Sequence, residues 1–545
     1  MRRTDHVRAG VPAVAPEAVR QALRTRREVG LVDVRSEARF AQGHPLFAAS
    51  LPLSRLMVEV LDRIPRRATP LVVYGDREDD AQAAAWRLTG LGYHDVSLLE
   101  NGLEGWRASG GKLFEDVNVP SKAFGELVDT IARTPAVDAH ELRALLDGGT
   151  DVVIVDARRF EEYHTMSIPT ATSVPGAELV MRIGAVAPEP TTLVVVNCAG
   201  RTRSIIGAQS LINAGVPNHV KALRNGTIGW TLAGLALDHG RDLRPTEPNT
   251  DVVRRASEAA QEVARRAGVR RADLHDLPSL EEGGRRTVYR FDVRSPEEYA
   301  AAHLVGFRSA PGGQLVQETD FFAPVRGAVI ALVDDDGVRA NMTGSWLAQM
   351  GWDVVVIQQG MTAGDATETG VWTPTLPPLP EVPRVDAARL ETVLATGSAR
   401  VVDVDTSTRF RVGHIPDAAW AMPAALPSAD VLDRLGRPSR IILTSTDGTM
   451  AAFVADDLPD IAGTDVAVLT DGTEGWARSG RPLAVGSEGL LSPPLDVYRR
   501  PYEGTDVTPD AMQAYLEWEY GLVDQLERDG THGFSVLTPE GISRS

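Results

Sequence analysis

A single cysteine, Cys198, serves a chain of 545 residues. One thiol builds no internal disulfide, no Cys-x-x-Cys redox pair and no cysteine zinc cluster, so the fold is held by its cores and any thiol chemistry passes through that sulfur. Long apolar runs are missing as well: no stretch approaches the roughly 20 residues a membrane helix needs, so no membrane partner is expected. The start, Met1-Arg-Arg-Thr-Asp-His, leads into a mixed helix expected over Glu17 to Arg27 and not into an apolar h-region, which points to the cytoplasm as the default address. Positive charge is in deficit. A net charge of −18 argues against nucleic acid as a partner and favours a well-solvated monomer or small oligomer, although an acidic protein still focuses positive potential at a single loop. The remainder, 43% apolar and 24% charged, is that of a soluble globular protein, and the length is that of several domains.

What is present is a repeat. A buried β run ends in Asp-Val-Arg or a close variant, then come an aromatic helix turn and a second turn. The four copies are Leu31–Arg35 with Phe40 and His44, Val153–Arg158 with Tyr163 and Ile168-Pro169, Tyr289–Arg294 with Tyr299 and His303, and Val401–Asp405 with Phe410 and His414-Ile415-Pro416. A second apolar run follows each (Leu71 to Tyr74, Leu193 to Val196, Val329 to Val333, Ile441 to Leu443), leading into a polar loop, a helix, a Gly turn and another β run. Three copies close on Gly-Trp, at Trp106, Trp230 and Trp476, and the third has only Gln359-Gly360 there. Short apolar strands alternating with amphipathic helices imply an α/β unit, a mostly parallel sheet covered on both faces.

The linkers divide the chain into units over 1–120, 121–245, 246–380 and 381–490, with a tail over 491–545. Pro374 to Pro383 is a proline-rich, semi-rigid joint, and Val252 to Arg271 reads as a charged helix. The tail holds one amphipathic helix, about Pro509 to Asp529, whose Tyr515, Trp518 and Leu522 share a face expected to pack on a domain.

Taken together, the Asp-Val-Arg…Gly-His-Ile-Pro and Asn-Gly…Gly-Trp boxes resemble those of the rhodanese superfamily, over nearly the whole chain to about residue 485. The resemblance implies four tandem rhodanese-like α/β domains plus a helical tail. It also implies a sulfurtransferase that carries sulfane sulfur as a cysteine persulfide, taking it from thiosulfate or a low-molecular-weight persulfide. The acceptor would be a thiol or, in vitro, cyanide, or a protein sulfur acceptor, with no cofactor.

The residues around Cys198 fit that chemistry. Val194-Val-Val-Asn-Cys198-Ala-Gly-Arg-Thr-Arg-Ser204 leaves a buried strand and enters a helix expected to start near Arg203 or Ser204. The sulfur thus sits at the carboxyl end of a parallel strand, facing a helix N-terminus. Gly200 is expected to permit a tight nest of backbone N–H groups, Arg201 and Arg203 to add charge, and the set to favour thiolate. The candidate site is Cys198 as nucleophile, with Ala199, Gly200, Arg201, Thr202, Arg203 and Ser204 holding the donor. The related phosphatases carry an arginine six residues after the cysteine. Here Arg203 is fifth and Ser204 sixth, a narrower loop that disfavours a phosphatase or arsenate reductase.

The other units lack the nucleophile. Asp76, Asp334 and either Ser445 or Thr446 fall at the corresponding place, so all three are expected to be inactive, packing on the second unit or docking a donor or acceptor protein. In the second unit, Asp156 and Arg158 read as loop-pinning, with anion binding the lesser alternative for Arg158, His164 reads as a surface residue and Trp230 as a core or lid residue behind the loop. A non-catalytic scaffold with a vestigial Cys198 is the competing class.

Overall fold

The computed structural model describes residues 10–358, 367–458, 461, 463–504, 506–538 and 541–544. Gln359-Gly360 and the first nine residues lie outside them. In the second unit the Val/Ile-rich runs form five parallel strands in the order Ala136–Val137, Val220–Leu223, Leu193–Asn197, Val152–Asp156, Thr172–Ser173. The third and fourth units repeat this order with Arg270–Ala272, Asp353–Ile357, Val329–Val333, Val288–Asp292, Arg308–Ser309 and with Arg384–Val385, Asp465–Leu469, Arg440–Thr444, Arg400–Asp403, Ala419–Trp420. The first unit keeps the pattern but is extended at its edge by Val325–Arg326 of the third unit, which pairs antiparallel with Val29–Asp33.

Both sheet faces are covered, which is why the strands read as continuous apolar runs. Along Leu193–Asn197, Val194 and Val196 enter one core and Val195 enters another on the opposite face. The expected helices are present with shifted ends. The first spans Pro16–Arg24. The charged helix spans Thr250–Arg266 and stops before Gly268, whose φ of +83° suits glycine and ends the helix. The tail carries two helices, Pro509–Tyr520 and Leu522–Asp529, because Gly521 interrupts the expected single one. Among the described residues, no helix is long and apolar enough to cross a membrane.

The units associate in pairs. Trp346 Nε1 donates to Ser210 Oγ at 2.9 Å, joining the third unit to the second, and Arg87 pairs with Asp457 at 3.0 Å, joining the first to the fourth. Each of these four residues lies 54 positions past its strand-end aspartate (Asp33, Asp156, Asp292, Asp403). Contact between equivalent positions is the signature of a two-fold-like interface. Between the pairs runs the helix Val119–Ala132. Its first ten residues are all buried, and its Phe124, Leu127 and Val128 join a core shared by the first unit, the third unit and the tail.

Candidate active site

In every unit the strand-end aspartate pairs with the last residue of the next strand: Asp33 with Tyr74, Asp156 with Asn197, Asp292 with Val333 and Asp403 with Thr444. The next residue is therefore the common loop position, and it is Gly75, Cys198, Asp334 and Ser445 in turn. This corrects the first unit, where Asp76 stands one place later and faces Arg35 and Arg39 at 3.6 and 3.4 Å. It also decides the fourth in favour of Ser445; Thr446 is tied to Asp405 at 2.6 Å.

The strand Leu193–Asn197 delivers Cys198, and the helix Thr202–Asn213 begins slightly earlier than expected. The closing box fixes the loop from behind. Thr227 N–H donates to Cys198 O at 2.9 Å and Ile228 N–H to Ala199 O at 3.0 Å. Gly226, at φ +52°, is required there, because a Cβ would lie 2.2 Å from Cys198 O. Gly200 has a different reason from the one expected: its φ is not in the left-handed region. The tail packs on it, leaving a Cβ only 3.2 Å from Glu519 Oε2 and from Tyr515 Cε1.

Two electrostatic expectations are overturned. Cys198 is 1% exposed, and burial pushes its thiol above the ordinary range, against the opposing charge of Arg203 and hydrogen bonding to Ser204. The thiol form is thus favoured, not the thiolate. Arg201 lines the cavity at Cys198, but its charge is already taken up by carboxylates. Its guanidinium holds Glu126 at 2.7 and 2.9 Å, Asp129 at 2.9 Å and Tyr520 Oη at 3.0 Å. It clamps the helix Val119–Ala132 and the tail onto the loop. Arg203 forms a bidentate pair with Glu162 at 2.7 and 2.9 Å yet still acts on the sulfur. Ser204 Oγ donates to Arg201 O at 2.8 Å, and Thr202 Oγ1 is buried without a partner among the described residues.

Several wall residues were not anticipated. A cavity of about 20 Å³ at Cys198 is bounded by Lys122, Gln317, Tyr502, Tyr515 and Glu519 as well as by the loop. Lys122 pairs with Asp116 at 2.9 Å and sits 5.2–5.6 Å from the rings of Tyr515, Trp518 and Tyr502. Burial, with Glu126 nearby, pushes the Glu519 carboxyl up to about 8. Tyr515 Oη donates to its Oε1 at 2.9 Å, while Oε2 has no partner among the described residues. The i, i+4 spacings Lys122/Glu126 and Tyr515/Glu519 were the available signals.

Away from the loop, Arg158 holds Asp156 at 2.7 and 2.9 Å, and Asn197 joins at 2.7 Å. Trp230 is 1% exposed and donates to Ala236 O at 2.9 Å. His164 is exposed, its Nδ1 2.9 Å from Arg241 O. The histidine that stacks on an aromatic ring at 3.7–3.9 Å in the other units is replaced in the second by buried Ser167.

Residues 15–109, 138–233, 277–367 and 386–479 each match the rhodanese-like domain family. The chain is 54% identical to a thiosulfate sulfurtransferase from Pseudomonas aeruginosa, covering 96% of this chain and 100% of that one, with a TM-score of 0.94 to its crystal structure. It is 34% identical over 107 residues to an uncharacterized protein of Synechocystis, covering 20% of this chain and 58% of that protein. It is 32% identical over 105 residues to an HTH-type transcriptional regulator of Mycobacterium tuberculosis, covering 19% of this chain and 45% of that protein. The chain thus spans about half the length of these two curated relatives. With four successive matches covering most of its length, this chain belongs to the rhodanese-like domain family.

Proposed function

We propose that this protein is a sulfurtransferase that carries sulfane sulfur on Cys198 and passes it to a thiophilic acceptor. One observation carries the reading: the chain's single cysteine occupies the strand-to-helix loop position of one unit, whereas its three counterparts are Gly75, Asp334 and Ser445. Thiosulfate as donor is supported by the 54% identity to a protein described as a thiosulfate sulfurtransferase. A low-molecular-weight persulfide fits the same loop.

Because burial favours the thiol, Cys198 releases its proton to solvent before or as the donor docks, with Arg203 and Ser204 supporting the anion, and the persulfide formed takes a proton back. The thiolate then attacks the outer sulfur of thiosulfate; an S–S bond to Sγ forms, the donor S–S bond breaks and sulfite leaves. The persulfide sulfur next passes to cyanide or to a thiol, in ping-pong order. Neither half-reaction, as written, consumes a metal or an organic cofactor. The helix Val119–Ala132 and the tail shape the pocket, and the three cysteine-free units hold it in place.

Steady-state thiocyanate formation from thiosulfate and cyanide tests the proposal. Wild type should turn over, and Cys198→Ser, with an unchanged far-UV spectrum, should fall to background. Equal activity in both would refute the role of Cys198, and activity in neither with any donor would favour a scaffold.

A further inference from the structure

Cys198 is nearly fully buried, and the tail covers its loop through Tyr515 and Glu519. An acceptor must therefore reach the sulfur from another direction, and on the side away from the tail lie cavities that share walls with one another. The cavity at Cys198 shares Ser121, Thr202, Arg203 and Gln317 with a second cavity of about 40 Å³. The second shares Ala157, Gly176, Arg203, Gly312 and Gln317 with a cleft of about 460 Å³ between the second and third units. Arg203 and Gln317 border all three.

The connecting cavity has a mostly apolar wall that includes Ile206, Val316, Met342 and Trp346, interrupted by a few polar atoms. Thr202 Oγ1 and Thr343 Oγ1, in residues 8% and 2% exposed, have no hydrogen-bond partner among the described residues, and neither has Gln317 Oε1. Buried hydroxyls without partners are uncommon and mark places where water or a ligand completes the set. Its walls also include glycines from both units: a Cβ on Gly312 would lie 2.1 Å from Thr343 Oγ1.

The cleft itself carries separated charges. Arg159 and Arg244 have side chains 53% and 58% exposed, and Arg159 keeps only one long contact, Nε to Glu162 Oε2 at 3.4 Å, which leaves the outer edge of its guanidinium to solvent. The Arg244 guanidinium lies 3.6 Å from the centre of the Phe160 ring, and its ion pair with Asp242 is stretched to 3.6 Å. A planar guanidinium laid on a ring is arranged to take a carboxylate. Exposed Glu161 and, from the third unit, exposed Glu297 border the same cleft. Its volume suits a small molecule.

We propose that this cleft binds the sulfur acceptor, and that the acceptor is a zwitterionic amino-acid or short-peptide thiol. Its carboxylate lies on Arg159 and Arg244, its ammonium toward Glu161 and Glu297, and its sulfur reaches Cys198 past Arg203 and Gln317. The inference rests on the persulfide reading of Cys198. In the transfer the acceptor thiolate attacks the outer sulfur of Cys198–Sγ–S–H. A new S–S bond forms on the acceptor, and the Sγ–S bond breaks. Sγ leaves as a thiolate and takes up the proton that the acceptor thiol released, so no oxidant or reductant is consumed.

Glutathione is the probe, and two readouts separate the cleft from the chemistry. Calorimetric binding to the Cys198→Ser protein should weaken at least ten-fold when Arg159→Glu and Arg244→Glu are added. In the protein that retains Cys198, the same pair should lower the ratio of persulfide discharge by glutathione to discharge by cyanide at least ten-fold. No glutathione binding, binding indifferent to the two substitutions, or an unchanged discharge ratio overturns the assignment. Arginine-dependent binding in a wild-type protein that never gains a sulfur would refute the persulfide reading and with it the acceptor role, leaving the cleft as a peptide-thiol site.

Discussion

Asp334 of the third unit takes the backbone hydrogen bond that Cys198 takes in the second: each accepts from the N–H six residues on, Ala340 and Ser204 respectively. Asp334 Oδ2 receives Ala340 N–H at 2.8 Å and Oδ1 receives Gly337 N–H at 3.1 Å. Ser445 does the same in the fourth unit with Ala451, at 3.2 Å. The fold thus offers one anion-holding loop several times, and in the third unit the chain's own carboxylate fills it.

Restoring the nucleophile there should not restore chemistry. Arg339, the counterpart of Arg203, is claimed by Glu298, Asp335 and Asp336, so the loop repels an anionic donor. The double variant Cys198→Ser/Asp334→Cys should gain no sulfur from thiosulfate by intact mass. A gain matching wild type would mean that local charge does not select the active unit.

Reactivity of Cys198 should rise with pH. Burial holds its pKa above the ordinary thiol range, so at pH 7 the thiolate is a minor form and its share grows as pH climbs through and beyond that range. Iodoacetamide labelling should be slower at pH 7 than for an exposed thiol and should show no plateau below about pH 8.5, the value of a free cysteine. A plateau near pH 7 would contradict the burial argument.

The tail is expected to act as a cover. Tyr515 is 6% exposed and packs with Ala199, Ile228 and Tyr502. Tyr515→Ala should cost about 3 kcal/mol of stability, as for other large aromatic truncations, and should speed Cys198 alkylation at least ten-fold. Lost stability with unchanged alkylation would show that the tail supports the fold without guarding the sulfur.

Glu519 gives a pH-dependent stability with a definite sign. Its carboxyl ionises at about 8 in the fold but at about 4.3 when unfolded. Between those values the folded state binds more protons, so stability falls as pH rises. Glu519→Gln removes the penalty: its stability advantage over wild type should grow from about pH 4.3 to about pH 8, then level off. Urea midpoints across that range check this, and a flat difference would contradict it.

Much of this was legible in the sequence because it is local. The strand Leu193–Asn197, the loop at Cys198 and the helix after it follow from an apolar run, a polar turn and a helical pattern in succession. The repeat spacing also marked which units lack the cysteine, although only strand pairing separated Gly75 from Asp76. The long-range partners were not legible. Glu126 reaches Arg201 across 75 positions, and Tyr520 reaches it across 319. Nothing in spacing announces that two loop arginines arrive already paired, or that a tail helix closes on Gly200. The expected thiolate failed for the same reason: a helix N-terminus and two arginines argue for it locally, and the burial that outweighs them comes from segments far along the chain.

The measurement that bears most directly on the account is intact-protein mass spectrometry after incubation with thiosulfate, and separately with glutathione persulfide, beside Cys198→Ser. Wild type alone should gain about 32 Da, removed by cyanide, as a covalent intermediate requires. No gain with either donor, or an equal gain on Cys198→Ser, would contradict it.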